Sequence, residues 1–313
     1  MRYGPENPEA TYVPHAFEER LCDTGEAVIN YARAGSSANP ALLLIPGQTE
    51  SWWGYEKAMP LLAEHFEVFA VDLRGQGRSS RTPGRYSWDN FGNDMVRFMQ
   101  LAIGRPAVVS GLSSGGVITA WLSAYAMPGQ VRGAHYEDPP LFASEVSPAV
   151  GQSIKQGIGH RFALMSKYLG DQWSVGDFTA MQAAAPQELP PHLAALGRQA
   201  PGSEPPQNLK EYDPEWARAF WTGTVGVNCD HARMLSAVKV PVLFTHHFRV
   251  VNDEGWLIGA SSDVQAQRAV ALIQAAGQEV TYKSFPQMGH SMHGQDPELF
   301  ANTLTEWAKG LPS

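Results

Sequence analysis

Ser113 lies in Gly111-Leu112-Ser113-Ser114-Gly115, which fits G-x-S-x-G, a pattern that lifts a serine hydroxyl onto a sharp turn between strand and helix. A serine alcohol is a weak nucleophile until a neighbouring base takes its proton. It attacks acyl carbon efficiently only where donors await the developing oxyanion. Glycines at 111 and 115 permit the tight turn and a close helix, because a side chain at either would collide. The pattern is short, and a chain with 30 glycines can produce it by chance. Its partners must therefore be sought along the rest of the chain.

A base is expected on a loop after the last strand. His290, in Gly289-His290-Ser291, follows the apolar run that ends at Phe285 and completes the order serine, acid, histidine. His293 is the second candidate, read as a pocket or surface residue. For the acid, the run at 240–245 continues into His246-His247-Phe248-Arg249 and meets no carboxylate before Asp253. Glu137, at the end of the strand after the elbow helix, is better placed, with Asp138, Asp253 and Asp263 as alternatives. Asp138 reads more naturally as fixing the turn before Pro139. The oxyanion donors expected are the backbone N–H groups of Ser114 and Gln48, with Gly47 allowing close approach. Trp52, Trp53, Trp173, Trp216, Phe220 and Trp221 are candidates to line a pocket for an apolar aromatic substrate, against the plain alternative of core packing. His135, His246 and His247 lack metal-motif spacing, so neither a metal nor a cofactor is expected.

These groups need a scaffold that brings distant loops together. Apolar runs at 41–45, 66–71, 107–112, 131–136, 240–245 and 280–285 have the length of strands buried on both faces. Two earlier strands are expected at 17–21 and 27–32. Helices are expected at 54–65, after Ser87 with Phe91, Met95, Phe98 and Met99 on one face, after the elbow, at 264–276, and from Pro297. Strands alternating with helices predict an α/β fold with a mostly parallel sheet covered on both faces. Ligands of such sheets gather at the carboxyl ends of the strands. Gln48, Ser113, Glu137 and His290 all fall at such ends. Asp72-Leu73-Arg74-Gly75-Gln76-Gly77-Arg78-Ser79 places two glycines after a strand, but Ser80 stands where a dinucleotide loop needs its third. Between 141 and 235 strand patterns vanish and proline-rich breaks interrupt helical stretches, which predicts a helical cap inserted into a core made of 1–140 and 236–313.

The chain has 313 residues, 43% hydrophobic, with a formal net charge of -8, which argues against nucleic-acid and anionic-membrane surfaces. Cys22 and Cys229 are too few for a disulfide framework. No apolar run reaches membrane-spanning length, and the first fourteen residues lack the apolar core of a signal peptide. A cytoplasmic protein is expected.

The Asp72–Ser79 turn, the Gly111–Gly115 elbow, the cap position and Gly289-His290 resemble the α/β-hydrolase superfamily over essentially the whole chain. More narrowly, Ser51-Trp52-Trp53, Asp89-Asn90-Phe91-Gly92-Asn93-Asp94, the stretch from Trp121 to Gln130 and the stretch from Asn208 to Trp216 resemble bacterial zearalenone lactone hydrolases. That resemblance implies hydrolysis of a resorcylic macrolactone, a glutamate after the sixth strand as triad acid, and a homodimer. The expectation is a serine hydrolase acting on a small hydrophobic aromatic lactone or ester. General carboxylesterase, cofactor-free C–C hydrolase or perhydrolase, and a non-catalytic small-molecule receptor are the alternatives.

Overall fold

A computed structural model describes residues 12–170, 175–194 and 203–312. The strands are β1 (Glu19–Asp23), β2 (Val28–Ala34), β3 (Ala41–Ile45), β4 (Glu67–Val71), β5 (Ala107–Leu112), β6 (Val131–Glu137), β7 (Val242–His246), β8 (Arg249–Val251), β9 (Leu257–Gly259) and β10 (Val280–Ser284). Eight of them form one sheet in the order β1-β2-β4-β3-β5-β6-β7-β10. β1 and β2 are antiparallel to their neighbours, and every pairing from β4 to β10 is parallel. The α/β fold with a mostly parallel sheet is therefore the one the alternation of apolar runs predicts.

The strand β3 shows why its sequence is apolar throughout. Side chains on a strand alternate between faces, so Ala41, Leu43 and Ile45 enter one core while Leu42 and Leu44 enter the other. The first core is closed by α2 (Trp88–Phe98), α3 (Ser114–Tyr125) and α10 (Asp263–Ala275), through residues such as Phe91, Met95, Val117, Ile118, Ala266 and Ala269. The second is closed by α1 (Met59–Ala63) and α12 (Pro297–Ala308), through Met59, Leu62, Phe300 and Leu304. Ser87 caps α2 by accepting from the Asn90 N–H, as expected from its side chain and position.

Two local expectations differ. The helix expected at 54–65 is a single 3-10 turn, Trp52–Tyr55, followed by the five-residue α1, because Pro60 can enter only the first turn of a helix. β8 and β9 pair as a separate antiparallel hairpin that the apolar pattern did not indicate. Between β6 and β7, the described residues form α4 (Gly159–Tyr168), α5 (Phe178–Glu188), α6 (Pro191–Ala194), α7 (Gln207–Lys210), α8 (Pro214–Thr222) and α9 (His231–Leu235). A short helix, α11 (Met292–Gln295), follows β10. No helix among the described residues is long and apolar enough to cross a membrane.

Candidate active site

The elbow is built from backbone that only a crowded turn would hold. Ser113 has φ 54° and ψ -119°, outside the regions favoured by L-residues. A Cβ on Gly111 would lie 2.2 Å from the Gly115 carbonyl oxygen, and one on Gly115 would lie 2.3 Å from the Ile45 carbonyl oxygen. Both glycines are thus required by contact, and α3 starts hard against the ends of β3 and β5. The Ser113 N–H donates to the Glu137 carbonyl, which ties the elbow to the end of β6.

His290 does not pair with Glu137. Its Nδ1 lies 2.7 Å from Asp138 Oδ2, and Asp138 Oδ1 accepts from the His247 N–H at 2.9 Å. The expectation of Glu137 as the partner of His290 is corrected by this geometry, in which the next residue, Asp138, holds the ring. The reason is the end of the strand. Glu137 is the last residue of β6 and its side chain is directed by the pleat, whereas Asp138 has left the strand with φ 42° and turns its carboxylate toward the loop after β10. The side chain of His290 is 41% exposed, so its ring opens into the cavity while Nδ1 is held. Desolvation opposes protonation of this ring, but the hydrogen bond and charge of Asp138, reinforced by Glu50 and Glu137, raise its pKa above 6.5.

Glu137 holds a second histidine. Its carboxylate is fully buried and accepts from the Met292 and His293 N–H groups at 2.8 and 3.1 Å, with His293 Nδ1 at 2.9 Å. His293, also fully buried, stacks on Tyr55 with ring centroids 3.9 Å apart. Burial alone would raise the Glu137 pKa, yet the charge and hydrogen bond of His293, with His247 and His135 behind, hold it at about 2. Burial opposes charge on His293, and Glu137 outweighs it, raising that pKa above 6.5. The pair is therefore ionised, and its contribution to stability has a window. The depressed Glu137 value gives stability present above 4.5 and lost as pH falls toward 2; the raised His293 value gives stability present below 6.5 and lost as pH climbs through it. A His293→Gln variant is expected to lower Tm, since breaking a buried pair costs about 3–5 kcal/mol. Its Tm deficit against the unsubstituted protein should be greatest at pH 4.5–6.5 and shrink by pH 9 in thermal melts. A deficit constant across that range would refute the ion pair.

The loop after β3 lies beside the elbow. Among the described residues no backbone carbonyl takes the Gln48 N–H, and Ser114 opens α3, ahead of the helix's internal hydrogen bonds. A Cβ on Gly47 would sit 3.3 Å from Ser113 Cβ, so this loop passes directly beside the elbow. The loop is buttressed from two directions. The Gln76 side-chain amide donates to the Gly47 carbonyl at 3.0 Å. Asp72, buried at the end of β4, accepts from the Trp52 N–H at 2.7 Å and from the Arg78 N–H at 3.0 Å. Desolvation raises Asp72 to about 7 against those hydrogen bonds. The stretch from Asn208 to Trp216 docks on the same loop: Asn208 Nδ2 donates to the Thr49 carbonyl at 2.7 Å, Ser51 Oγ donates to Glu211 at 3.2 Å, and the Gln48 side chain donates to the Tyr212 hydroxyl.

Ser113, Ser114, Gln48 and His290 line one cavity of about 360 Å³. Of the aromatic candidates, Phe220 lines it. Trp52 and Trp216 are fully buried in the two cores, Trp52 donating to Glu19 and Trp216 packing on Phe91 at 4.5 Å. Trp53 donates to Glu211 and stacks on His15, and Trp221 lies under the Lys155 ammonium. Neither lines the cavity, nor does His293; Trp173 lies outside the described residues. The remaining apolar wall comes instead from Ile154, Ile158, Phe162, Met165 and Leu193, and from Phe248, Leu257 and Ile258 around the β8–β9 hairpin. These residues had no distinctive sequence signal. Ile154, Ile158, Phe162 and Met165, in and before α4, fall at helical spacing, a pattern that ordinarily marks core.

Comparison with known proteins agrees with this architecture. The profile of the alpha/beta hydrolase family matches residues 42–303. Bifunctional epoxide hydrolase 2 of Sus scrofa is 35% identical over 130 residues, 41% of this chain and 23% of that protein. Fluoroacetate dehalogenase of a Burkholderia species is 37% identical over 89 residues, 27% of this chain and 29% of that protein. The chain thus spans less than a third of the length of either relative. An esterase of Rhodococcus sp. ECU1013 superposes with a TM-score of 0.65 at 20% identity, covering 95% of this chain and 100% of the other.

Proposed function

Since the chain belongs to the alpha/beta hydrolase family, we propose that it is a serine hydrolase that cleaves an ester or lactone with a largely apolar body. The observation that carries this reading is the cavity shared by Ser113 and His290, whose far nitrogen is held by Asp138. In this mechanism His290 Nε2 removes the Ser113 proton as Oγ attacks the carbonyl carbon. The Gln48 and Ser114 amides take the oxyanion, and Asp138 keeps the imidazole in the tautomer that can accept at Nε2. Collapse expels the alkoxide, protonated by His290. Water activated by the same ring then releases the acid from the acyl-enzyme. Opening an epoxide or displacing a halide demands attack at saturated carbon, for which a carboxylate nucleophile is suited; a hydroxyl backed by a histidine suits acyl carbon.

The helical segment between β6 and β7 acts in this reading as the cap that shapes the substrate's body, and the resemblance points to a resorcylic macrolactone such as zearalenone. The protein should convert zearalenone, or simple 4-nitrophenyl esters, to products heavier by one water in total mass. Ester turnover without zearalenone conversion would reduce the activity to a general carboxylesterase. Products in which a carbon–carbon bond has broken while the ester or lactone remains intact would replace ester cleavage with C–C hydrolysis.

A further inference from the structure

The cavity beside Ser113 carries one fixed charge. Among the described residues that line it, Arg161, on α4, is the only Lys, Arg, Asp or Glu. Its guanidinium makes no hydrogen bond, ion pair or ring contact with any described residue, although it is partly buried. Every other arginine of comparable burial is engaged: Arg74 forms a two-pronged pair with Asp94, and Arg81 reaches Asp213. Burial without a partner pulls the Arg161 pKa below its ordinary 12.5, but a guanidinium remains charged at neutral pH. Two hydroxyls of residues in the same lining, Ser144 Oγ and Ser114 Oγ, are also buried without a hydrogen-bond partner among the described residues. Buried charges and hydroxyls are normally paired. For Arg161 the missing counterpart is an anion, and a guanidinium fork matches a planar carboxylate best.

We propose that Arg161 anchors a free carboxylate of the substrate, so that the preferred substrate is an ester or lactone that also bears an acid group. The inference rests on the serine-hydrolase reading of the same cavity and narrows its substrate class. The apolar wall then holds the chain between the scissile carbonyl and the acid. A neutral lactone such as zearalenone draws nothing from the guanidinium, so an acid-bearing ester or lactone is favoured over it.

The test compares 4-nitrophenyl hydrogen adipate with 4-nitrophenyl hexanoate, which have acyl chains of equal length and differ in the terminal acid. The expected result is a kcat/KM ratio of at least about 10 in favour of the adipate, from the strength of a charge-assisted hydrogen bond. Arg161→Met should bring that ratio to about 1, chiefly through KM, and Arg161→Lys should restore part of it. A ratio near 1 in the unsubstituted protein, or an unchanged ratio in a folded Arg161→Met, overturns the proposal. Calorimetric titration of adipic acid into Ser113→Ala, with and without Arg161→Met, separates the two readings. Binding that depends on Arg161, in a protein that turns over neither ester, retains the carboxylate site and removes the serine-hydrolase reading. Ester turnover without Arg161-dependent binding does the reverse. Tighter binding of inorganic phosphate than of adipic acid would reassign the site to phosphate and overturn the carboxylate.

Discussion

Asp138→Asn is expected to lower kcat on an activated ester by about 10⁴-fold with little change in Tm, the loss that follows when a catalytic histidine is left in the wrong tautomer. The asparagine keeps a hydrogen-bonding oxygen for the His247 N–H, so the turn survives while the charge opposite His290 disappears. The pH profile supplies a second reading. Catalysis needs neutral His290, whose pKa is raised above 6.5 mainly by Asp138 acting against desolvation. Activity should therefore rise with pH through that value, and the residual activity of Asp138→Asn should show its acid limb at lower pH. Glu137→Gln is expected to differ in kind. It removes the partner of His293 and weakens the grip on the Met292 and His293 amides, so the loss should appear first in Tm. Steady-state kinetics and melts on the two variants decide the assignment. A folded Glu137→Gln protein with no turnover, beside an active Asp138→Asn, would return the triad role to Glu137.

Ser113→Ala should abolish measurable ester turnover, a fall of about 10⁴- to 10⁶-fold, because the remaining groups can only bind substrate and polarise its carbonyl. The side-chain hydroxyl of Ser113 makes no hydrogen bond to the described residues, so its removal should leave the unfolding free energy within about 0.5 kcal/mol of the original, with Tm little changed. The backbone offers an independent check. At φ 54° and ψ -119° an L-residue is strained by about 1–3 kcal/mol, which exceeds the 0.5–1 kcal/mol or so that glycine loses through unfolded-state entropy. Ser113→Gly should thus melt above Ser113→Ala. Substantial turnover by either variant would end the nucleophile assignment.

The residues that could be read from sequence were those whose position follows from chain order. Strand lengths, glycine spacing and the run Gly289-His290 place the elbow and the histidine at one edge of the sheet before any coordinate is known. The expected partner of His290 was off by one residue because the choice between Glu137 and Asp138 depends on where β6 stops. A single residue past that point turns a side chain from one histidine to the other. The tryptophans misled for a related reason. Trp52 and Trp216 are as apolar as any pocket residue, and only packing against Glu19 and Phe91 shows that they belong to the cores. The β8–β9 hairpin has three-residue strands around Asn252-Asp253-Glu254-Gly255, too brief for alternation to register. Arg161 carries no motif at all; its interest comes from what fails to surround it.

The cavity draws its residues from two parts of the fold. Ser113, Gln48 and His290 sit at strand ends locked by the sheet, by Gly47, Gly111 and Gly115, and by the grip of Asp138. The wall and its lone cation come from the segment around α4 and from the β8–β9 hairpin, neither of which shares a strand with the catalytic groups. In the proposed reading, substitutions in the wall would change which molecules enter while the strand-end groups keep their geometry.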